Sequence, residues 1–397
     1  MLSKLKTISI DYNSSKDIIN LYYNGSFPFS TYINLLLNES RYGYNIYHKP
    51  IFDFSPDFNQ SLILIIDDIK DLMKRKEYLL ARNTSDAIFN ACTIYWQRLM
   101  SNGQHIVAKE FWKKIIDTII GLENKKVKIH KGTPYFFLAH TCLLLDDIEN
   151  TFIYLSKAIY EDEKSCKLFG QNYQMAPGYK TVSLSAEKNN FMYPDVMEVR
   201  NYLENHLKRY NRKLRKNLAF KTIENKFFNN AQYVDPMIFL NFIIHVLRIQ
   251  EESINKIDND FSKIRLLNLI FCLCLVVDKT LWIRFSGVER YISGNVQILG
   301  KTKGWGSKRY IYNVYRVEVN NLIESKKVGD FNKIINKLLD YKLTYRGSIV
   351  RKEIQTLLLL WGLRNQGAHR LEKQNILIKR YKDIIEIIMY SFFMSVY

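Results

Sequence analysis

E-I-Q-T-L-L-L-L-W-G-L (353–363), R-N-Q-G-A-H (364–369) and I-L-I-K-R-Y-K-D-I-I-E-I-I-M-Y-S-F-F (376–393) decide how the 397-residue chain is read. Two apolar runs of helical character flank a short polar segment. Such runs bury themselves against other helices, so this region reads as part of a helical bundle. The rest of the chain agrees. Seven prolines and 16 glycines leave few breakers among long apolar-periodic stretches, and helix is the economical reading of such a sequence. The 27 tyrosines and 23 phenylalanines supply a sizeable core, which argues against disorder.

Upstream of the quoted region the pattern predicts helices over 312–326, 330–341 and 346–363, then a last one over 366–396. Further back it predicts helices over 260–284 and 236–256. A basic helix over 196–230 carries Lys208, Arg209, Arg212, Lys213, Arg215, Lys216, Lys221 and Lys226. The segment 169–196 is rich in Gly, Pro and polar residues and reads as a domain boundary. Before it, 105–122 and a segment from Asn83–Asp86 to about Met100 form one hairpin. Pro134 at a first turn opens another that ends near Lys164. This pair resembles a tetratricopeptide-type repeat, with small Ala139 and Ala158 where two helices approach; no 34-residue period recurs. Segment 61–80 reads as an amphipathic helix. The expectation is therefore a mainly α chain. Its N-terminal helical-hairpin part, residues 1–185, binds a partner or senses a protein or ligand trigger. Its C-terminal part, residues 186–397, is basic and holds a bundle over about 260–397.

Charge narrows the partners. Lys and Arg outnumber Asp and Glu to give a formal charge of +19. A field of that sign attracts polyanions, chiefly nucleic acid. The five cysteines, Cys92, Cys142, Cys166, Cys272 and Cys274, form no C-x-x-C pair. No zinc site or disulfide framework is expected, which suits a reducing, cytoplasmic compartment. The N-terminal residues lack a signal-peptide core, and the apolar stretches near 266–277 and 354–363 fall short of the ~20 residues a bilayer demands. No membrane association and no cofactor or metal are expected; His48, His105, His130, His140, His206 and His245 form no ligand pattern, and His140 reads as a core histidine.

The segment Arg364-Asn365-Gln366-Gly367-Ala368-His369 resembles the R-N-x-x-x-H motif of the HEPN superfamily. In that family the motif sits near the start of a late helix in a small up-and-down bundle. The resemblance covers about residues 260–397. It implies a metal-independent endoribonuclease with Arg364, Asn365 and His369 as catalytic residues. It also implies products with 2′,3′-cyclic phosphate ends, and a homodimer in which two motifs face each other across a composite cleft. Members of the family often act as toxins or antiviral defence effectors. No βαβ nucleotide sensor precedes the helical region, which separates the chain from members activated by cyclic oligoadenylates.

The residue types suit this chemistry. Asn365 and His369 are one helical turn apart and share a face. An imidazole with an unperturbed pKa of ~6.5 exchanges protons at cellular pH. An arginine offers a fixed fork of donors to phosphate oxygens. Looser versions of the motif occur at Arg98 with His105 and at Arg200-Asn201 with His206. Two segments offer an RNA surface: the 196–230 helix and the loop at 301–310, where Lys301, Lys303, Lys308 and Arg309 accompany Trp305 and Tyr310. The run Gly294–Thr302 resembles a phosphate-binding loop, but its glycines are one residue too far apart and no strand leads into it. The competing reading is a non-catalytic helical adaptor that binds RNA or protein through a degenerate HEPN fold.

Overall fold

The computed structural model describes residues 18–20 and 45–47, several positions from 89 to 97, and then 99–123, 128–185, 187–229, 233–252, 260–285, 318–319, 327–366 and 375–396. Among these the protein is mostly helical. Two short strands near the N-terminus, β1 (Ile18–Asn20) and β2 (Asn45–Tyr47), pair in parallel. The expected helix over 61–80, the caps Asn83–Asp86, Arg98 and the phosphate-loop-like run all lie outside the described residues. The chain divides into two compact units, residues 1–180 and 181–397.

In the first unit, residues between 89 and 101 are helical wherever described, and Gly103 turns the chain at φ +71°. The helices α1 (His105–Leu122), α2 (Gly132–Leu144) and α3 (Ile148–Phe169) follow. Asp147 caps α3 by accepting from the Asn150 N–H, and Gly170 ends it in the left-handed region that a glycine adopts without strain. The α2–α3 hairpin matches the sequence reading, and Ala139 and Ala158 are both buried. The core is aromatic: Trp112 stacks on Phe137 at 5.8 Å, Trp96 packs on Phe137 at 4.7 Å, and the Trp96 indole N–H donates to Thr141 Oγ1 at 2.8 Å.

The second unit is a bundle. After the short α4 (Pro177–Val182) come α5 (Tyr193–Leu214), α6 (Phe220–Ile223) with a π-turn over Glu224–Phe228, α7 (Val234–Glu252) and α8 (Asp260–Phe285). Then come α9 (Val328–Leu339), a small antiparallel hairpin of β3 (Thr344–Tyr345) and β4 (Ser348–Ile349), α10 (Lys352–Gln366), α11 (Asn375–Lys379) and α12 (Tyr381–Val396). Helix α12 packs against α5, α8, α9 and α10. It is buried on nearly every side from Ile384 to Val396, as a helix apolar all round must be. The hydroxyls of Ser391 and Ser395 avoid a desolvation cost by donating to the helix's own carbonyls, Ile387 O and Phe392 O.

Three boundaries differ from the sequence reading. The basic helix ends at Leu214, because Arg215 turns into the left-handed region at φ +53°. Lys216, Lys221 and Lys226 therefore leave it. Asn211 clamps this turn: its amide donates to Leu218 O at 2.9 Å and its carbonyl accepts from Leu218 N–H at 3.0 Å. The helix expected from 346 starts at Lys352, since Arg346 and Gly347, at φ +48° and +78°, form the tip of the hairpin instead. Of the single helix expected over 366–396, residues 367–374 lie outside the described residues, and the described part is two helices, α11 and α12, that separate at Arg380.

Candidate active site and nucleic-acid interface

Arg364 lies in the last turn of α10, where a cation also meets the negative end of the helix dipole. Its side chain is 30% exposed, and its Nε forms an ion pair with Asp278 Oδ2 of α8 at 3.0 Å. Helices α8 and α10 pack together, which sets the two groups opposite each other. Burial raises the Asp278 carboxyl above the usual carboxylate range, and Arg364 opposes that rise. An Asp in the apolar run of α8 is costly unless paired, so the pair answers a need of the core and also fixes the guanidinium. A guanidinium held through Nε keeps its two terminal nitrogens for a second acceptor, the geometry that suits a phosphate. Asn365 follows in the same last turn. Gly367, Ala368 and His369 lie outside the described residues.

The looser motif copy does not converge. Arg200 is committed to Glu204 and Glu224, both at 3.1 Å, and to the Leu184 carbonyl. His206 is buried and packs on Tyr202, with ring centroids 4.4 Å apart. Its Nε2 lies 3.4 Å from Arg209 Nη2, and its Nδ1 finds no hydrogen-bond partner among the described residues.

The cations of α5 and of the turn that follows it divide into two groups. Arg209 and Lys213 reach Glu386 of α12, at 3.5 and 3.4 Å, and Glu386 also accepts from the Tyr390 hydroxyl at 2.6 Å. Lys216 reaches Glu353 of α10 at 3.4 Å. Lys208, Arg212 and Arg215 are exposed and have no ion-pair partner among the described residues. Lys301, Lys303, Lys308 and Arg309 lie outside them. Sequence reasoning missed Asp278 and Glu386. The signal was present: each is an isolated carboxylate within an apolar run, and such a group needs a cation from another helix.

The charges around Glu386 imply an acid-sensitive seam. Burial, helped by Arg209 and opposed by Glu386, pushes the His206 imidazole from 6.5 down to about 4. Between those values the unfolded chain binds a proton that the folded chain does not, so stability falls as pH drops across that window. Glu386 acts lower still. Burial raises its carboxyl, but the Tyr390 hydroxyl, Lys213 and Arg209 together outweigh burial and hold it below 4.5. Its contribution is present above pH 4.5 and is lost as pH falls through the depressed value. Thermal melts should therefore show Tm falling from pH 6.5 to 4, and His206→Gln should flatten that limb. A residual slope remains from His140, which burial also pushes to about 4. A His206→Gln profile parallel to the parent's would contradict this account.

The first unit offers a different kind of charge cluster. His130 Nε2 lies 3.1 Å from Asp162, and Lys131 Nζ donates to Glu123 at 2.7 Å and sits 3.6 Å from Glu161. All five side chains are nearly buried and answer one another, so the cluster ties α2 and α3 to the segment before them. Among the described residues no group of His, Cys, Asp and Glu could hold a metal ion. No described helix is long and apolar enough to cross a membrane.

The fold and site together define a basic, mostly helical chain whose bundle carries a fixed, partly exposed arginine at a helix end. The chain matches no protein-family model, no curated protein and no solved structure.

Proposed function

We propose that the second unit is a metal-independent endoribonuclease of the HEPN type, with Arg364 and His369 as its catalytic pair. One observation carries the reading: the arginine of the R-N-x-x-x-H segment sits partly exposed at the end of a bundle helix, held from behind by Asp278. In this scheme His369 removes the proton of an RNA 2′-OH. The 2′-oxygen attacks the neighbouring phosphorus, and the bond to the 5′-oxygen breaks as that oxygen takes up a proton. The product ends are a 2′,3′-cyclic phosphate and a 5′-OH. Arg364 neutralises the charge that builds on the non-bridging oxygens, where a fixed donor fork is most effective. Asn365 orients its neighbours or the substrate. Action as a toxin or antiviral effector in the cytoplasm, with a trigger acting on the first unit, fits this chemistry.

The reading is tested by incubating the intact protein and His369→Ala with RNA in excess chelator. Cleavage by the first and not the second supports it; equal cleavage, or none by either, overturns it. One motif per chain points to a homodimer with facing motifs. Sedimentation should therefore show a dimer under the conditions of cleavage, and a fully active strict monomer would sink that part of the proposal.

The Arg364–Asp278 contact also favours a second reading, since a buried carboxylate could require the arginine for stability alone. The chain would then be a non-catalytic helical adaptor that binds RNA or protein. It would bind RNA as well as the enzyme does and leave it intact.

A further inference from the structure

The last turn of α5 and the first turn of α10 meet in space although they are 139 residues apart in sequence. Lys352 Nζ donates to the Lys213 carbonyl at 3.5 Å. Lys216 and Arg351 converge on one Glu353 carboxylate, at 3.4 and 3.5 Å. The ammonium groups of Lys213 and Lys352 share the ring of Tyr341, at 5.0 and 5.8 Å from its centroid. Arg212 and Arg215, both exposed, complete the same turn. Four cations, Lys213, Lys216, Arg351 and Lys352, thus meet around Tyr341, Glu353 and Glu386, with Arg212 and Arg215 exposed in the adjoining turn. Such crowding works against folding through self-repulsion. A polyanion laid across the patch would relieve it and release counterions from its own backbone.

We infer that this patch is a phosphate-backbone surface for an RNA strand, remote from the point of cleavage. Lys352 and Arg364 stand at opposite ends of α10, about 18 Å apart at 1.5 Å per residue. The surface therefore grips the strand several nucleotides from the reacting phosphate. Contacts of this kind position a strand and carry no sequence information. The loop cations at 301–309 are not needed for it. The choice of RNA as partner rests on the proposed function, and the test separates the two.

The substitutions are Arg212→Gln, Arg215→Asn and Lys352→Gln together. None of the three is in an ion pair among the described residues, so the pairs of Lys213, Lys216 and Arg351 stay, and Gln at 352 keeps a donor for the Lys213 carbonyl. Asn is chosen at 215 because it tolerates the left-handed backbone there. All measurements are made in a His369→Ala background, so that bound RNA stays whole. A control carries Lys114→Gln, Lys167→Gln and Lys188→Gln, exposed lysines elsewhere in the chain with the same change in net charge. Affinity for short oligouridylate and oligoadenylate is followed from low to moderate salt.

The triple variant should reduce the slope of log affinity against log salt by about 2, since each lost single-strand contact is worth ~0.7. The reduction should be equal on both sequences, and the control should keep the parent's slope. An unchanged slope in the triple variant overturns the surface, as does the same reduction in the control. A loss of binding to phosphatidylserine vesicles with RNA binding intact also overturns it, by assigning the patch to a membrane. Absence of RNA cleavage by the parent would sink the reaction and leave this surface standing.

Discussion

RNA cleavage should fall by ~10²–10⁴-fold in His369→Ala, the usual cost of removing a general acid–base group. Arg364→Ala should cost ~10²–10³-fold, on the scale of one lost transition-state donor. Arg364→Lys should recover little, because an ammonium cannot reproduce the planar fork and is not gripped through Nε. Asp278→Asn is the informative companion. It keeps the shape of the contact at 3.0 Å and removes its charge. If Asp278 positions Arg364, the rate falls while the melting temperature moves little, and Arg364→Ala adds less in that background than alone. Asn365→Ala should do less damage than either member of the pair. Each is read from initial rates on one RNA in excess chelator, beside a melt. Unchanged rates in both His369→Ala and Arg364→Ala would return Arg364 to a purely structural role.

Phe392→Ala should destabilise the protein by ~3–5 kcal/mol, the range for a fully buried aromatic side chain. Phe392 stacks on Phe239 at 4.3 Å and meets Phe227 at 4.9 Å, so its ring joins α12 to α7 and to the π-turn. Nothing beside it is positioned to fill the space, since Phe239 and Phe393 are themselves fully buried. For a unit of this size the loss corresponds to a fall in Tm of roughly 6–20 °C. Phe392→Leu preserves most of the volume and should cost under ~1.5 kcal/mol. Ile349→Ala, at an exposed position on β4, should stay within ~0.5 kcal/mol. Equal melting of Phe392→Ala and the parent would mean that α12 is not the centre of the bundle.

The helical class, the bounds of α1 and the α2–α3 hairpin were legible because apolar spacing and a Pro at a first turn agree there. The turn at Arg215 was not. A run of Lys and Arg has high helix propensity throughout, and the clamp that breaks it depends on Asn211 meeting Leu218. The β3–β4 hairpin was hidden because strands of two residues are too short to show alternation. Gln355 stabilises it from α10 by accepting from Leu343 N–H, a contact that local propensity does not encode.

At the candidate site the sequence exposed Arg364 through its spacing to His369 and through the apolar runs beside it. It could not supply Asp278, because the partner of a buried charge is chosen by which helices pack, here α8 against α10. The same holds for the basic patch. Lys352 and Arg351 look like an ordinary helix start until α5 is laid against them. Charge density along the chain marked α5 as basic, and only tertiary packing adds its second half.

In the proposed reaction a 2′-hydroxyl attacks phosphorus without a metal ion. That attack is tested most directly by cleaving an end-labelled RNA in excess chelator, beside the same RNA carrying a single 2′-deoxy substitution at the cut. The account predicts cleavage of the first, with 2′,3′-cyclic phosphate and 5′-OH ends, and an intact second. Cleavage that vanishes with chelator and returns with Mg²⁺ or Mn²⁺, or that proceeds at the 2′-deoxy position, would contradict it.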